Sequence, residues 1–390
     1  MKIRITLFLL FFSFISFAQK QTPYQLIDEK IRKIPDSLTK STTKIAQFIN
    51  ANFKTDEEKI RAVFYFTATK IEYDVVNMFT LNMNLKPEEI IQKTLETRKG
   101  VCINYAHIFN ETAQKLGIKS VIIEGYTKQN GKIDALSHVW CAVYLNKKWL
   151  LFDPTWSAGY VINGKYVKKF NERFYKIEPT KLITSHMPFD YLWQFLNYPI
   201  THEEFYKGKT QINLTKPFFD YEKEIALYEN YTEPQKLLTS SKRIEQNGIK
   251  NAMIAENYKY KKNYLDHLKQ NKLNDDFNKA INDYNVAVKQ FNVFIDYRNR
   301  QFKPLKSDEE IKKMIEDPKN NLINTQYLLN NLGAISAQNQ PNLISLKNNL
   351  SELLKQVEEH EDFVKVYLSK EKNKRQKLFT QYHLFGMPLN

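Results

Sequence analysis

Two cysteines occur in the 390-residue chain, Cys102 and Cys141, and the first sits where a thiol could do chemistry. Cys102 follows Gly100-Val101 and opens a stretch in which Tyr105, Ala106, Phe109, Ala113 and Leu116 fall on one face at helical spacing, closed by Gly117. A thiol in the first turn of a helix lies beside orphan backbone amides and the positive end of the dipole, and both favour the thiolate. The same amides can receive the oxyanion of a tetrahedral intermediate. Gly100, without a side chain, allows a tight approach of backbone to substrate.

Strand-like runs follow, at Lys119 to Tyr126, His138 to Leu145 and Trp149 to Asp153; residues 127–137, with Gly131, read as a polar loop. The turn between the last two runs falls around Asn146. If it is Asn146-Lys147, Asp153 lies opposite Trp140, one diagonal step from His138. If it is Leu145-Asn146, Asp153 lies directly opposite His138. In both registers the imidazole and the carboxylate share a face and an end of the hairpin. A carboxylate in that place fixes the imidazole tautomer and stabilises the imidazolium. Strand alternation turns His138, Trp140 and Ala142 one way and Val139, Cys141 and Val143 the other. A thiol that faces His138 then does not face Cys141, so both cysteines are expected free, Cys141 as a small buried apolar residue. The competing reading is a disulfide formed in an oxidising compartment.

This ordered set, Gly-x-Cys at a helix start, His-x-Trp on a strand and Asp153-Pro154-Thr155-Trp156 after a partner strand, resembles the core of the transglutaminase-like superfamily. The resemblance runs over about residues 54–156 and includes Ile71-Glu72-Tyr73-Asp74, similar to that family's Tyr-Asp segment. Thr184 to Gln194, with Ser185-His186-Met187-Pro188 and Trp193-Gln194, resembles an extension of its kyphoscoliosis-peptidase-like branch. The resemblance implies Cys102 as nucleophile, His138 as general base and acid, and Asp153 as the orienting acid. It implies an α+β fold: a papain-like core of helices against an antiparallel sheet, here followed by an all-helical C-terminal domain. The expected activity is acyl transfer from a peptide or carboxamide through a Cys thioester, by a cysteine peptidase or amidase or a transglutaminase-like acyltransferase. Hydrolysis is slightly favoured by the extension. The alternative is a catalytically silent envelope-binding or scaffold protein with the same fold. No D-x-D-x-D-G loop and no pair of C-x-x-C motifs occurs, so no metal or other cofactor is expected.

Other residues carry weaker signals. Tyr73 is a candidate second oxyanion donor and Trp156 a candidate groove aromatic, both under substrate binding; Trp193 is a further aromatic of the same kind. An aromatic after a strand is more often core. His186 and His202 lack the spacing of a metal site, and no H-E-x-x-H occurs. His107, five residues past Cys102 on its helix, is expected to point elsewhere.

The elements that must hold these residues follow from pattern. Residues 19–75 read as helices: Thr55 and Glu58 make a capping box, and Ile60, Val63, Phe64, Thr67, Ala68 and Ile71 share a face. Residues 19–215 are assigned to the core domain with its N-terminal helices, and 216–390, rich in Lys, Asn, Gln and Glu, to a helical hairpin or bundle. There Phe277, Ile281, Tyr284, Val288, Phe291 and Ile295, and Leu343 through Tyr367, alternate in steps of three and four as a coiled-coil-like seam would, with His360 packed inside it. A second capping box begins at Ser307, and Pro304, Pro318 and Pro341 are expected to punctuate the helices.

Lys2 and Arg4, an apolar run from Ile5 to Phe17, and Ser16-Phe17-Ala18 read as a signal peptide, residues 1–18, cleaved before Gln19. The expected location is periplasmic or extracellular, with no stable membrane insertion. Two cysteines are few for an exported protein stapled by disulfides. The formal net charge of +15 favours acidic partners, such as a polyanionic envelope component, and equally serves solubility. With no recognisable binding module, nucleic acid is not an expected partner; a protein or peptide substrate is.

Overall fold

The computed structural model describes residues 23–79 and 85–381. The expected signal peptide lies outside them. Among the described residues, no helix is long and apolar enough to cross a membrane. The chain divides into two compact units, Met1–Tyr260 and Lys261–Asn390.

The first unit is built around the helix Asp56–Lys70. Its capping box forms as expected: Thr55 accepts from the Glu58 amide, and the Glu58 carboxylate accepts from the Thr55 amide at 3.0 Å. The helix is not amphipathic, however. Every residue from Ile60 to Ala68 is buried, because helices Pro23–Arg32, Thr42–Asn52 and Cys102–Lys115 and the rings of Phe170 and Tyr175 pack around it. The one charge this encloses, Arg61, is paired with Asp28 at 2.8 and 2.5 Å and with Glu172 at 2.7 Å, as a buried cation requires.

The cysteine helix, Cys102–Lys115, starts on a tight turn. Asn104 Oδ1 accepts from the Val101 amide at 2.9 Å, and its Nδ2 donates to Thr94 Oγ1 at 2.7 Å. A Cβ on Gly100 would stand 2.5 Å from the Cβ of Asn104. That glycine therefore serves the turn, where a close approach to substrate had been expected. Gly117, at φ 77°, ends the helix as its sequence position implies.

Four antiparallel strands lie in the order Lys148–Phe152, Lys132–Leu145, Ser120–Gln129, His186–Pro188. The expected loop over 127–137 is strand for most of its length. The hairpin continues past a register slip at Tyr126/Lys128 to a turn at Asn130-Gly131, both at positive φ. Most of its side chains are polar and hide the strand period, although Ile133 packs on the cluster around Tyr126 and Phe205. Asn146 and Lys147, at φ 51° and 63°, make the two-residue hairpin turn. Cys141 pairs with Phe152, so Asp153, the next residue, falls across from Trp140: the first of the two registers.

The two faces of the sheet have different neighbours. Cys141, Val143, Leu150 and Phe152 pack with the cysteine helix and the central helix. Ile123, Trp140, Ala142 and Leu151 pack on the other side with Phe174, Leu182, Leu192 and Phe195. Ile225, Ile244 and Ile254 join the cores of this unit, and Arg243 pairs with buried Asp190 at 2.7 and 2.8 Å. Residues 216–260, grouped with the helical region on composition, thus pack as part of the first unit. Their Lys- and Glu-rich texture describes their outer faces.

In the second unit, helices Asp308–Asn331 and Gln340–Ser369 pack with the C-terminal part of the helix Ala252–Asn299 around Phe277, Ala287, Phe291, Phe294, Leu322 and Val357. Gln290 pairs with Asn321, Lys319 with Glu361 and Asp308 with Arg375, so successive helices run antiparallel. The seam of the first helix takes Ala280, Ala287 and Phe294 rather than Ile281, Val288 and Ile295, which lie half-buried beside it. Alanine fits where helices approach closely. Pro318 lies inside its helix and does not end it, whereas Pro341 stands in the first turn of the last long helix. His360 meets the edges of Phe291 and Phe294, as expected for a packed histidine.

Candidate active site

Asp153 ends the edge strand and caps the short helix Pro154–Ala158. Its Oδ1 accepts from the amides of Thr155 and Trp156 at 2.9 and 3.0 Å. Its Oδ2 accepts from His138 Nε2 at 2.7 Å and from His186 Nε2 at 3.1 Å. Asp153 is wholly buried, yet four donors surround it. Burial works to raise its pKa, but His138 and His186 outweigh that and hold the carboxyl well below the usual range. A carboxylate can only accept, so both Nε2 atoms carry hydrogen.

That assignment leaves His138 Nδ1 to face the thiol. Cys102 is half-buried and is a hydrogen-bond partner of the His138 ring. The body of the cysteine helix lies on the Cys141 face of the sheet, while its first residue reaches the imidazole where the edge strand has stopped at Phe152. Burial works to lower the His138 pKa. The charge and hydrogen bond of Asp153, with a smaller part from Cys102, overcome it and push the imidazole up to about 10. Cys141 is free, fully buried, and donates to Ala106 O at 3.6 Å; burial pushes its thiol up, which makes it inert.

Tyr73 stands in a two-residue strand, Glu72–Tyr73, paired parallel to Lys99–Gly100, so the segment before Cys102 fixes its position. Burial first, then the negative charges possible on Cys102 and Asp153, raise its pKa to about 12. Its hydroxyl therefore stays a donor. Trp156 is half-buried with its ring 5.6 Å from that of His138. Both residues line a cleft of about 700 Å³ with His138, Tyr160, Arg173 and Ser185. The described residues that line it include two cations, Lys128 and Arg173, and no carboxylate. Trp193 packs against Tyr228, and His107 lies half-buried farther along the cysteine helix. His202 is buried against the Tyr126 hydroxyl at 3.0 Å.

His186 is the residue whose place the spacing of histidines did not reveal. Its signal was the Ser-His-x-Pro segment, which forms a fourth strand beside Ser120–Gln129. His138, Asp153 and His186 offer ligand atoms within 4.8 Å of one another and could in principle hold a metal ion. Both Nε2 atoms donate to Asp153, and the other ring nitrogens face Cys102 and Ser185, so the cluster is complete as a hydrogen-bonded set.

Residues 43–154 match the family profile described as the transglutaminase-like superfamily. Kyphoscoliosis peptidases of Homo sapiens and Mus musculus are each 32% identical over 160 residues, which is 39% of this chain and 24% of theirs. The matched stretch thus spans about a quarter of the length of these curated relatives. The periplasmic domain of TgpA from Pseudomonas aeruginosa is 18% identical, covering 34% of this chain and 47% of that one, with a TM-score of 0.25. Cys102, His138 and Asp153 all fall inside the matched residues, and over that stretch the chain carries a transglutaminase-like core.

Proposed function

We propose that the protein is a papain-like thiol enzyme that transfers the acyl group of a peptide or carboxamide through a thioester on Cys102. The observation that carries this is the His138–Asp153 contact at 2.7 Å, which leaves Nδ1 of the same ring for a thiol in the first turn of a helix. The imidazole takes the thiol proton, and Sγ attacks the carbonyl carbon. The carbonyl electron pair moves to oxygen, where a first-turn amide and the Tyr73 hydroxyl receive it. Collapse breaks the C–N bond, and His138 gives its Nδ1 proton to the leaving amine. Water or an amine then attacks the thioester while His138 takes its proton, and the C–S bond breaks to restore the thiolate.

Water as the acceptor makes the protein a peptidase or amidase; an amine makes it a transglutaminase. Hydrolysis is favoured by the likeness to kyphoscoliosis peptidases. Protein or peptide substrates fit a cleft walled by Tyr73, Trp156 and Tyr160, and the cationic rim fits an acidic group on the substrate. Export through residues 1–18 belongs to the same proposal and rests on the sequence.

The test is the pH dependence of Cys102 alkylation by iodoacetamide, with products mapped by mass spectrometry. Wild type should react well below the ~8.5 of an ordinary thiol, and His138→Ala should lose that reactivity. Ordinary thiol behaviour in both would support the silent-scaffold alternative. Incubation with a peptide and an amine then separates free acid from isopeptide product. A chelator should change neither rate; loss of activity on chelation would instead make His138, Asp153 and His186 a metal site.

A further inference from the structure

We infer that His186 is a positioning residue of the reaction, a neutral second donor that locks Asp153 against His138. The inference rests on the thiol–imidazole reading above. Four observations converge on it.

His186 is almost wholly buried, yet it is not a packing residue in any ordinary sense: its Nε2 points at the same oxygen that His138 uses. With both Oδ1 hydrogen bonds given to backbone amides, Oδ2 is the only part of Asp153 left for the two imidazoles. A carboxylate held on both oxygens cannot rotate away from His138.

The tautomer is set from the other end. Ser185 Oγ lies 2.8 Å from His186 Nδ1 and 3.3 Å from Leu182 O. Nε2–H donates to the carboxylate, so in the neutral ring Nδ1 is an acceptor and takes the Ser185 hydroxyl proton. Ser185 thereby holds the ring hydrogen on Nε2, against Asp153.

The ring is also held in place sterically. It meets Trp140 at 5.1 Å and Trp156 at 4.6 Å edge-on, with Phe174 at 5.5 Å. Trp140 is two residues from His138 on the same strand, and Trp156 is the residue whose amide caps Asp153. One cage therefore fixes both imidazoles and the carboxylate between them.

Finally, burial keeps the ring uncharged. Burial lowers the His186 pKa; Asp153 works against this, a positive His138 works with it, and Asp134 contributes weakly in the other direction. A neutral donor stabilises the ionised carboxylate without cancelling the charge that holds the imidazolium. Without it, a buried Asp153 one donor short would ionise less readily and turn from His138, and the thiolate would lose its partner.

The experiment is the pH profile of Cys102 alkylation in the full chain, with folding followed by circular dichroism. His186→Leu removes the donor. It should slow alkylation near pH 6.5 by about ten- to a hundredfold and move the acid limb up toward that of an ordinary thiol. His186→Gln, whose Nε2 can donate from a similar place, should stay within a few-fold of wild type. Ser185→Ala frees the tautomer and should shift the limb in the direction of His186→Leu by a smaller amount. A folded His186→Leu with the wild-type profile overturns the inference. Should His186→Leu fail to fold, a Ser185→Ala profile identical to wild type overturns it instead. His138→Ala is the separate control: if it keeps the wild-type profile, the thiol–imidazole reading fails first, and the two failures are told apart.

Discussion

The indole of Trp140 lies over Gly125, and a Cβ on that glycine would stand 2.6 Å from its Cη2 atom and 2.2 Å from the carbonyl oxygen of Met187. Gly125 pairs with His138 on one side and with Pro188 on the other. The missing side chain is the space through which the two histidine-bearing strands come together. Gly125→Ala forces the Met187 backbone or the indole to move. It should lower stability by roughly 1–3 kcal/mol, the usual cost of overpacking, and reduce Cys102 alkylation with it. Thermal unfolding and alkylation measured together check this; wild-type values in both would contradict the close packing.

The His138–Asp153 pair makes stability depend on pH with a definite sign. The raised His138 pKa means its contribution is complete below the unfolded value of about 6.5 and is lost as pH rises through the folded value. The depressed Asp153 pKa means its contribution is present above about 3.9 and is lost only as pH falls through the folded value. In Asp153→Asn the larger part of the first effect disappears, leaving burial against the smaller pull of Cys102 on the imidazole. The stability gap between wild type and Asp153→Asn should therefore be widest near pH 6 and narrow steadily toward pH 10. Denaturant titrations at pH 6, 8 and 10 measure it, and a flat gap would mean that the pair is not ionic.

Tyr73 offers a way to separate the nucleophile from the oxyanion. Alkylation by iodoacetamide builds no oxyanion, whereas attack on a carbonyl does. Tyr73→Phe should leave the alkylation profile unchanged and lower acyl-transfer turnover by about 10²-fold, with little change in KM. Equal losses in both assays would place Tyr73 in support of Cys102 itself.

The extent of the first unit can be tested by truncation. A chain that ends at Thr215 loses Ile225, Ile244 and Ile254 from its cores and leaves Asp190 without Arg243. Breaking a buried ion pair by removing one partner costs about 3–5 kcal/mol, even before the lost apolar packing. Ending the chain at Tyr260 instead should preserve a cooperative melt and the alkylation profile, and ending it at Thr215 should abolish both. Arg243→Ala in the full chain should lie between these outcomes.

What the sequence revealed and what it hid follow from the range of the interactions. The start of the cysteine helix and the shared face of His138 and Asp153 are set by neighbours in sequence and were legible, whereas the choice between the two turns around Asn146, and with it the register of Asp153, came from the structure. The strand His186–Pro188 is three residues long and ends in proline, too short to show a period, so its place beside Ser120–Gln129 was not. With that pairing hidden, His186 belonged to a motif but had no visible tie to His138 and Asp153. The hairpin end around Asn130-Gly131 reads as a loop because its residues are mostly polar and Ile133 alone marks the packed face. In the helical region, Ala280 and Ala287 carried the seam where larger neighbours drew attention away from it.

One wall of the cleft belongs to a ribbon, Gly159–Ile162 and Lys165–Lys168, whose strands pair only with each other among the described residues. Its outer side chains, Tyr160, Val161 and Ile162, are exposed, and its tip, Asn163-Gly164, is a solvent-facing turn at positive φ. Cys102, His138, Asp153 and His186 all lie on other elements. Inheritance can therefore act on the two separately. Substitutions, insertions or a lengthened tip in the ribbon would change the shape and charge that an incoming chain meets, and leave the reacting atoms where they are.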